Sequence, residues 1–179
     1  MACISKLATA IAYNCDSGAT GLVSAIIINK ADIASFTVTG GGTVSGLTLA
    51  PGAKVYKIDT VKRSLVMSST LKVNDGAPNA FTHTATITDM SAATSGVHFN
   101  ISSAISNGSF VIISRPVGGT TATVAGLYYG MSATAFDRNS HDNGAWTTIT
   151  LETPENVIGE DNLGMGTADY NALYGAAVG

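Results

Sequence analysis

Short runs in which apolar and threonine side chains alternate dominate this sequence. The clearest run is FTHTATIT at residues 81–88, and TTITLE at 147–152 has the same two-residue period. Successive side chains of a strand point to opposite faces of its sheet. The alternation therefore predicts strands with threonine on one face, and it restricts the chain to folds built on β-sheets.

Turn signals separate these runs along the chain. Glycine, proline, asparagine and aspartate supply the backbone angles that tight turns require, and they cluster at 29–32, 40–42, 51–52 and 74–76. The runs between them predict about eight strands, mostly antiparallel. These strands are 22–29, 35–39, 44–49, 66–73, 81–88, 110–114, 121–129 and 146–152, and residues 55–61 show the same two-residue period.

The segment SFVIISRPVGGTTATVAGLYYGMSATAFDR, residues 109–138, contains glycines that raise the question of a phosphate-binding loop. A phosphate cradle needs backbone N–H groups at the start of a helix, and the P-loop pattern also needs a lysine. Here Gly118 and Gly119 lie between two strand-like runs, and the segment contains no lysine. The sequence therefore predicts a hairpin of two paired strands.

One helix is predicted before this hairpin. Asp89 is a possible N-cap, Asn107 and Gly108 are typical of a C-terminus, and apolar residues recur at helical spacing at Val97, Ile101, Ala104 and Ile105. The predicted fold is mainly β: an antiparallel β-sandwich, or two packed sheets, with one flanking helix and extended terminal arms. Its parts are an N-terminal arm or short helix at 1–20, a β-rich domain at 21–152 and a C-terminal extension at 153–179.

The low charge of the chain favours association with other copies. Charged residues make up 12% of the 179 residues, about half of the roughly 25% usual for soluble domains. A surface with few charges repels its own kind weakly, so we expect a self-assembling subunit. The alternative is a threonine-rich β domain with a neutral surface. The net charge of −3 gives nucleic-acid binding no general support.

The charges that exist are unevenly placed. Five of the nine basic residues lie within 54–72, among them Lys57, Lys62 and Arg63. The acids are concentrated after residue 136, and Glu155, Glu160 and Asp161 belong to them. The two segments are candidates for opposite sides of a repeated interface, and two separately solvated patches are the alternative.

Residues that carry chemistry give no enzymatic pattern. Cys3 and Cys15 predict free thiols more strongly than a disulfide, and His83, His98 and His141 are too scattered to predict a metal site. No nucleophile accompanies the His141–Asp142 pair, so no catalytic residue and no cofactor is predicted. The N-terminus lacks the order of a signal peptide, and no apolar run approaches the length of a membrane span.

Aromatic residues leave a second class of function open. Tyr129 and Trp146 are candidates for stacking on a sugar ring, as in a carbohydrate-binding module or adhesin. Packing in a core or an interface is the more ordinary use of such side chains.

The segments NGSFVIISRP and TVAGLYYGMSATAFDRNSHDNGAWTTITLETPENVIG resemble virion structural proteins of bacteriophages. The layout of arm, strands, basic central segment, helix and acidic tail is similar to that of the tail tube proteins of long-tailed phages. The resemblance implies a non-enzymatic subunit of a virion assembled in the bacterial cytoplasm. It implies hexameric rings whose inner sheets close into a barrel around a DNA channel, with a stacking loop around 57–71 and contacts to other virion proteins. A capsid decoration or head–tail joining protein is the structural alternative.

Overall fold

The computed structural model describes two packed β-sheets and a C-terminal helix, which confirms the predicted fold class. The residues that it describes are 22–58, 65–73, 75–76, 79–89, 103–138, 147–154 and 163–178. Their strands are β1 (Leu22–Asn29), β2 (Ile33–Thr39), β3 (Thr43–Leu49), β4 (Val55–Ile58), β5 (Leu65–Lys72), β6 (Ala80–Asp89), β7 (Phe110–Pro116), β8 (Thr121–Ala125), β9 (Ser132–Arg138), β10 (Thr147–Glu152) and β11 (Leu163–Gly166). A 3-10 turn at Lys30–Asp32 joins β1 to β2, residues 103–107 are helical, and the C-terminal helix is Thr167–Ala176.

The large sheet has seven strands in the order β2-β3-β11-β8-β7-β1-β4, and the small sheet has four in the order β5-β6-β10-β9. Neighbouring strands are antiparallel throughout, except that β11 runs parallel to β3. The β7–β8 pair is the hairpin that the sequence predicts around Gly118 and Gly119.

One hydrophobic core lies between the two sheets. Ala25 of β1 and Ile112 of β7 enter it from the large sheet, and Ala85, Ile149 and Leu151 enter it from the small sheet. All five are almost fully buried. The alternation in β6 and β10 thus has the predicted consequence, because it gives these strands one apolar face to pack against the large sheet.

A second core covers the opposite face of the large sheet. Ile26 and Ile113 point into this second core, whereas their chain neighbours Ala25 and Ile112 point into the first core on the other face of the sheet. Tyr170 of the C-terminal helix closes this core and donates a hydrogen bond of 2.8 Å to Ser24 Oγ. The central strands β1 and β7 are therefore buried on both faces, which explains why their sequences are almost continuously apolar.

The chain after the helix also supports the large sheet at its β4 edge. Val178 forms a parallel bridge with Tyr56: the Lys57 N–H donates to the Val178 carbonyl at 2.9 Å, and the Val178 N–H donates to the Val55 carbonyl at 2.8 Å. This bridge pairs part of a strand edge that otherwise exposes backbone groups.

Residues 126–131 carry the chain from the large sheet to the small one. Gly126 has a φ of +79°, and a Cβ on it would lie 2.7 Å from the Phe110 carbonyl oxygen. Phe110 and Met131 exchange two backbone hydrogen bonds, of 2.9 and 2.7 Å, directly beside it. The predicted strand 121–129 ends at Ala125 for this reason, because the glycine turns the backbone out of the sheet.

The prediction of a C-terminal extension at 153–179 is wrong for the described part of that segment. Residues 163–166 form β11 inside the large sheet, between β3 and β8, and residues 167–176 form the helix over the second core. The sequence LGMG offers only two apolar side chains at strand spacing, so its pattern was too short to predict a strand. β9 was also missed. The proposed arm at 1–20 lies outside the described residues.

Helical residues 103–107 agree with the end of the predicted helix, and the rest of that prediction lies outside the described residues. The helix that covers the large sheet is the C-terminal one, which the sequence did not indicate. The segment has glycine near both ends and only a weak apolar stripe, and neither feature is enough to predict a helix from sequence.

We expect Tyr170 to make stability sensitive to alkaline pH. Burial raises the pKa of its phenol above the ordinary 10.0, and the hydrogen bond to Ser24 partly opposes this rise. The folded state holds the proton more tightly, so the contribution is complete below about pH 10 and is lost as the pH rises through the raised pKa.

The free energy of unfolding, measured in urea at about pH 8 and about pH 11, checks this. At the lower pH, Tyr170→Phe is expected to lose about 1 kcal/mol with the hydrogen bond to Ser24. The gap between wild type and variant is expected to narrow at the higher pH. A gap that is the same at both would contradict the assignment.

We expect Gly126→Ala to destabilise the fold more than Gly52→Ala does. Both glycines have a positive φ, but a Cβ at Gly52 meets no atom within 4 Å. The backbone conformation alone costs alanine about 1–2 kcal/mol. Only Gly126→Ala adds a clash with backbone atoms, so urea unfolding should separate the two variants by a further 1 kcal/mol or more, on the order of other strained backbone sites. Equal losses would show that the turn absorbs the methyl group.

Candidate functional site

The outer face of the small sheet is covered with hydroxyl groups. The strand register places Thr84, Thr86 and Thr88 of β6 beside Thr148 and Thr150 of β10 on this face. On β5, Ser68 and Thr70 pair with Thr84 and Thr82 and extend the same surface. We call this surface the hydroxyl face. It arises directly from the threonine alternation, because the apolar residues of the same strands occupy the inward face.

The hydroxyl face carries little charge. Among the described strands of the small sheet, the register places only Lys72, Glu152 and Asp137 on it. Thr84 donates a long hydrogen bond of 3.4 Å to Glu152 Oε1. The described part of the face is therefore nearly neutral, with a slight excess of acid.

Both edges of the small sheet are unpaired within the part of the chain that the structure describes. β5 and β9 are its outer strands, and each pairs with one neighbour only. An open edge presents a row of backbone donors and acceptors and is a template for a strand of another molecule. The small sheet therefore differs from the large one, whose β4 edge Val178 partly covers.

Both open strands carry large apolar side chains that are exposed to solvent. Leu71 of β5 is 47% exposed and Phe136 of β9 is 39% exposed, and both lie on the inward face of the small sheet. Large exposed apolar groups on a strand edge are typical of a surface that another protein covers.

A cavity of about 430 Å³ opens between the two sheets beneath β5. Met67 and Ser69 of β5 and His83 of β6 line it on one side, and Ser114 and Thr123 of the large sheet line it on the other. No residue of β9 or β10 takes part. The cavity therefore lies under the β5 side of the small sheet, and the described residues that line it include no acid, lysine or arginine.

His83 is the most unusual polar group of this cavity. It is 1% exposed, its Nδ1 lies 2.7 Å from Ser69 Oγ, and its Nε2 is buried without a hydrogen-bond partner among the described residues. Thr153 fixes the backbone beside it, because the His83 N–H donates to Thr153 Oγ1 at 2.9 Å. A buried donor or acceptor without a protein partner is ordinarily satisfied by an ordered water or another small polar group.

Two of the residues predicted for an interface fall within the described chain. Lys57 lies on β4 with its ammonium 5.0 Å from the centre of the Tyr174 ring, so its charge is held against the C-terminal helix of its own chain. Tyr129 follows β8 in the turn to β9, 48% exposed, with its ring 6.4 Å from that of Tyr128. The two are not brought into one site. The other predicted residues lie outside the described chain: Lys62, Arg63, Trp146, Glu155, Glu160 and Asp161.

The described residues give little support to a metal site, a membrane span or a catalytic site. They contain no group of three histidine, cysteine, aspartate or glutamate side chains that could hold a metal ion. Among the described helices, none has the length and the apolar character of a membrane span. Ser69 and His83 resemble a nucleophile and its base in distance alone, because the described residues place no acid on His83 to orient it.

The sequence did not point to the contact between Ser69 and His83. Fourteen residues separate them, and only the β5–β6 register makes them direct partners. One signal was available: His83 is the single ionisable side chain among the inward-facing positions of FTHTATIT. A histidine at such a position requires a hydrogen-bond partner on a neighbouring strand.

We expect Ser69→Ala to destabilise the fold and Ser68→Ala to leave it unchanged. The first variant removes the hydroxyl that bonds to Nδ1 of His83, and because Ser69 is exposed, water can take its place, so the loss is that of an ordinary hydrogen bond, about 0.5–1.5 kcal/mol. Ser68 points outward from the neighbouring position, where such a change is usually worth less than about 0.5 kcal/mol. Urea unfolding of both variants measures the difference, and equal stability of the two would contradict a role for Ser69 in holding His83.

Comparisons with known proteins supply no relative of this chain. No protein-family model, no curated protein and no solved structure matches it. Its function therefore has to follow from its own residues and sheets.

Proposed function

We propose that this chain is a non-enzymatic structural subunit of a bacteriophage virion, which assembles with copies of itself into rings or a tube around a DNA channel. The observation that carries the proposal is the small sheet: four strands with a hydroxyl-covered outer face and two unpaired edges in the described chain. The resemblance of the sequence to tail tube proteins supplies the context.

The directions of the strands suit a ring. β5, β6, β10 and β9 alternate in direction, so β5 and β9 run antiparallel to each other. When copies are related by rotation about a common axis, the β9 of one copy meets the β5 of the next in antiparallel orientation. A single antiparallel barrel then continues through the small sheets of all copies, and neither edge of the small sheet stays open.

The hydroxyl face suits the wall of a DNA channel. Proteins hold DNA mainly by pairing lysine and arginine with phosphates, and each pair adds affinity. The described hydroxyl face has one lysine and two acids, so it gives phosphates few positively charged partners. Its hydroxyl groups would instead bind water along the wall of the channel. DNA passing such a wall would meet hydrogen-bonding groups without being retained.

The dimensions are also compatible with a duplex. Strands lie about 4.8 Å apart, so four strands span about 19 Å and six copies give a circumference of about 115 Å. The corresponding diameter between backbones is about 37 Å, which strand tilt in the barrel would increase. Six is the number of copies that the resemblance implies.

Light scattering after size exclusion, with negative-stain microscopy of the same fractions, tests the proposal on the full chain. We expect masses that are multiples of 18.1 kDa and particles with a central hole. Stacked rings support a tube. Trimers, or single rings that never stack, favour a decoration or head–tail joining protein instead.

A stable monomer at high protein concentration would contradict the proposal. A carbohydrate-binding module would then be the next hypothesis, and Trp146→Ala in a glycan-binding assay would test it.

A further inference from the structure

We propose that adjacent copies join when β9 of one copy pairs with β5 of the next, and that Phe136 of the first copy covers the inter-sheet cavity of the second, next to Met67 and His83. This inference rests on the proposed function, because it specifies the contact through which the subunits assemble. The partner is a second copy of this chain.

Phe136 is on the side of β9 that this contact requires. It pairs with Ile149 of β10, which is 1% exposed in the core between the sheets, so the Phe136 side chain lies on the inward face of the small sheet. It remains 39% exposed because β9 is the last strand of that sheet. An inward-facing aromatic group at an open edge is only partly covered by its own chain.

The cavity is at the opposite edge of the same sheet and on the same face. Met67 pairs with Ala85 and Ser69 with His83, and all four belong to the inward face of the small sheet. When a neighbouring strand extends a sheet, its side chains keep the same alternation of faces. Phe136 of a copy docked along β5 therefore lies on the side of the sheet where the cavity opens.

The cavity and the side chain match in size and chemistry. A volume of about 430 Å³ accommodates a phenyl ring, and Leu22, Met67 and Pro116 supply apolar walls. Burying the exposed part of Phe136 against them is favourable, and a thioether next to an aromatic ring adds a further attractive contact.

The contact is head-to-tail, since it joins two different strands. Such an interface closes into a ring or continues as a helix, and it never stops at a symmetric dimer. This property separates it from β5–β5 or β9–β9 pairing, either of which gives closed two-fold dimers.

Two variants that each disable one side of the contact test the inference. Phe136→Asp blocks the β9 side and leaves β5 intact, and Met67→Glu blocks the β5 side and leaves β9 intact. We expect each variant alone to be a monomer of 18.1 kDa, and an equimolar mixture to form dimers of twice that mass and nothing larger. Leu71→Glu, on the same face of β5 and 47% exposed, serves as a second β5 variant if Met67→Glu loses its fold.

Val66→Thr is the matched control. Val66 lies next to Met67, is 50% exposed and points to the hydroxyl face, where threonine already occurs. We expect it to assemble like the wild type. Far-UV circular dichroism and thermal unfolding of every variant separate lost assembly from lost folding.

The histidine ring signals in NMR spectra distinguish a filled cavity from simple strand pairing. In the Phe136→Asp chain, the His83 signal, identified by its loss in His83→Asn, is expected to shift when the Met67→Glu chain is added, because an aromatic ring arrives beside it. Dimers without this shift would overturn the seating of Phe136 in the cavity.

The remaining outcomes are equally distinct. Assembly of Phe136→Asp at wild-type strength, a monomeric mixture, or dimers of Phe136→Asp alone would overturn the head-to-tail contact while the proposed function stands. A wild-type chain that stays monomeric would overturn the proposed function itself.

Discussion

The fold depends on covering both faces of the large sheet. β1 and β7 are apolar on both sides, so neither strand is stable in a sheet with one wet face. The small sheet covers one face. The C-terminal helix covers the other, where side chains of β2 and β3, two strands of the large sheet itself, also pack against the second core. The hydrogen bond between Tyr170 and Ser24 connects residues 146 positions apart and fixes the helix over the second core.

Because of this constraint, the two faces of the small sheet have different roles. Its inward face is buried in the core, so its outward face and its two edges are the parts of the small sheet that the described residues leave uncovered. Threonine suits that outward face because it is β-branched, which favours strands, and it keeps the surface polar without adding charge. The low charge of the whole chain and the nearly neutral hydroxyl face therefore have the same cause, because threonine and serine occupy surface positions that charged residues usually take.

The cavity beneath β5 shows where the two sheets do not fill the space between them. The cavity lies at the open β5 edge, and Nε2 of His83 is buried beside it without a partner among the described residues. The incompletely packed part of the core is therefore next to the edge that we propose for assembly. A core that is incomplete at an edge gains packing when a neighbour covers it, and this gain is the physical reason for the association that we propose.

The sequence by itself determined the class of fold, most strands and the hairpin at Gly118, because alternation and turn residues act over a few positions and require no partner. It also determined the threonine face. It did not determine β11, the C-terminal helix or β9, whose patterns are too short or too weak without the neighbours that stabilise them. Only the tertiary structure decided that Ser69 meets His83, that Lys57 lies against Tyr174, and that Phe136 and the cavity occupy opposite edges of one sheet. Strand order and register set these positions, and both follow from contacts between distant segments that local periodicity does not encode.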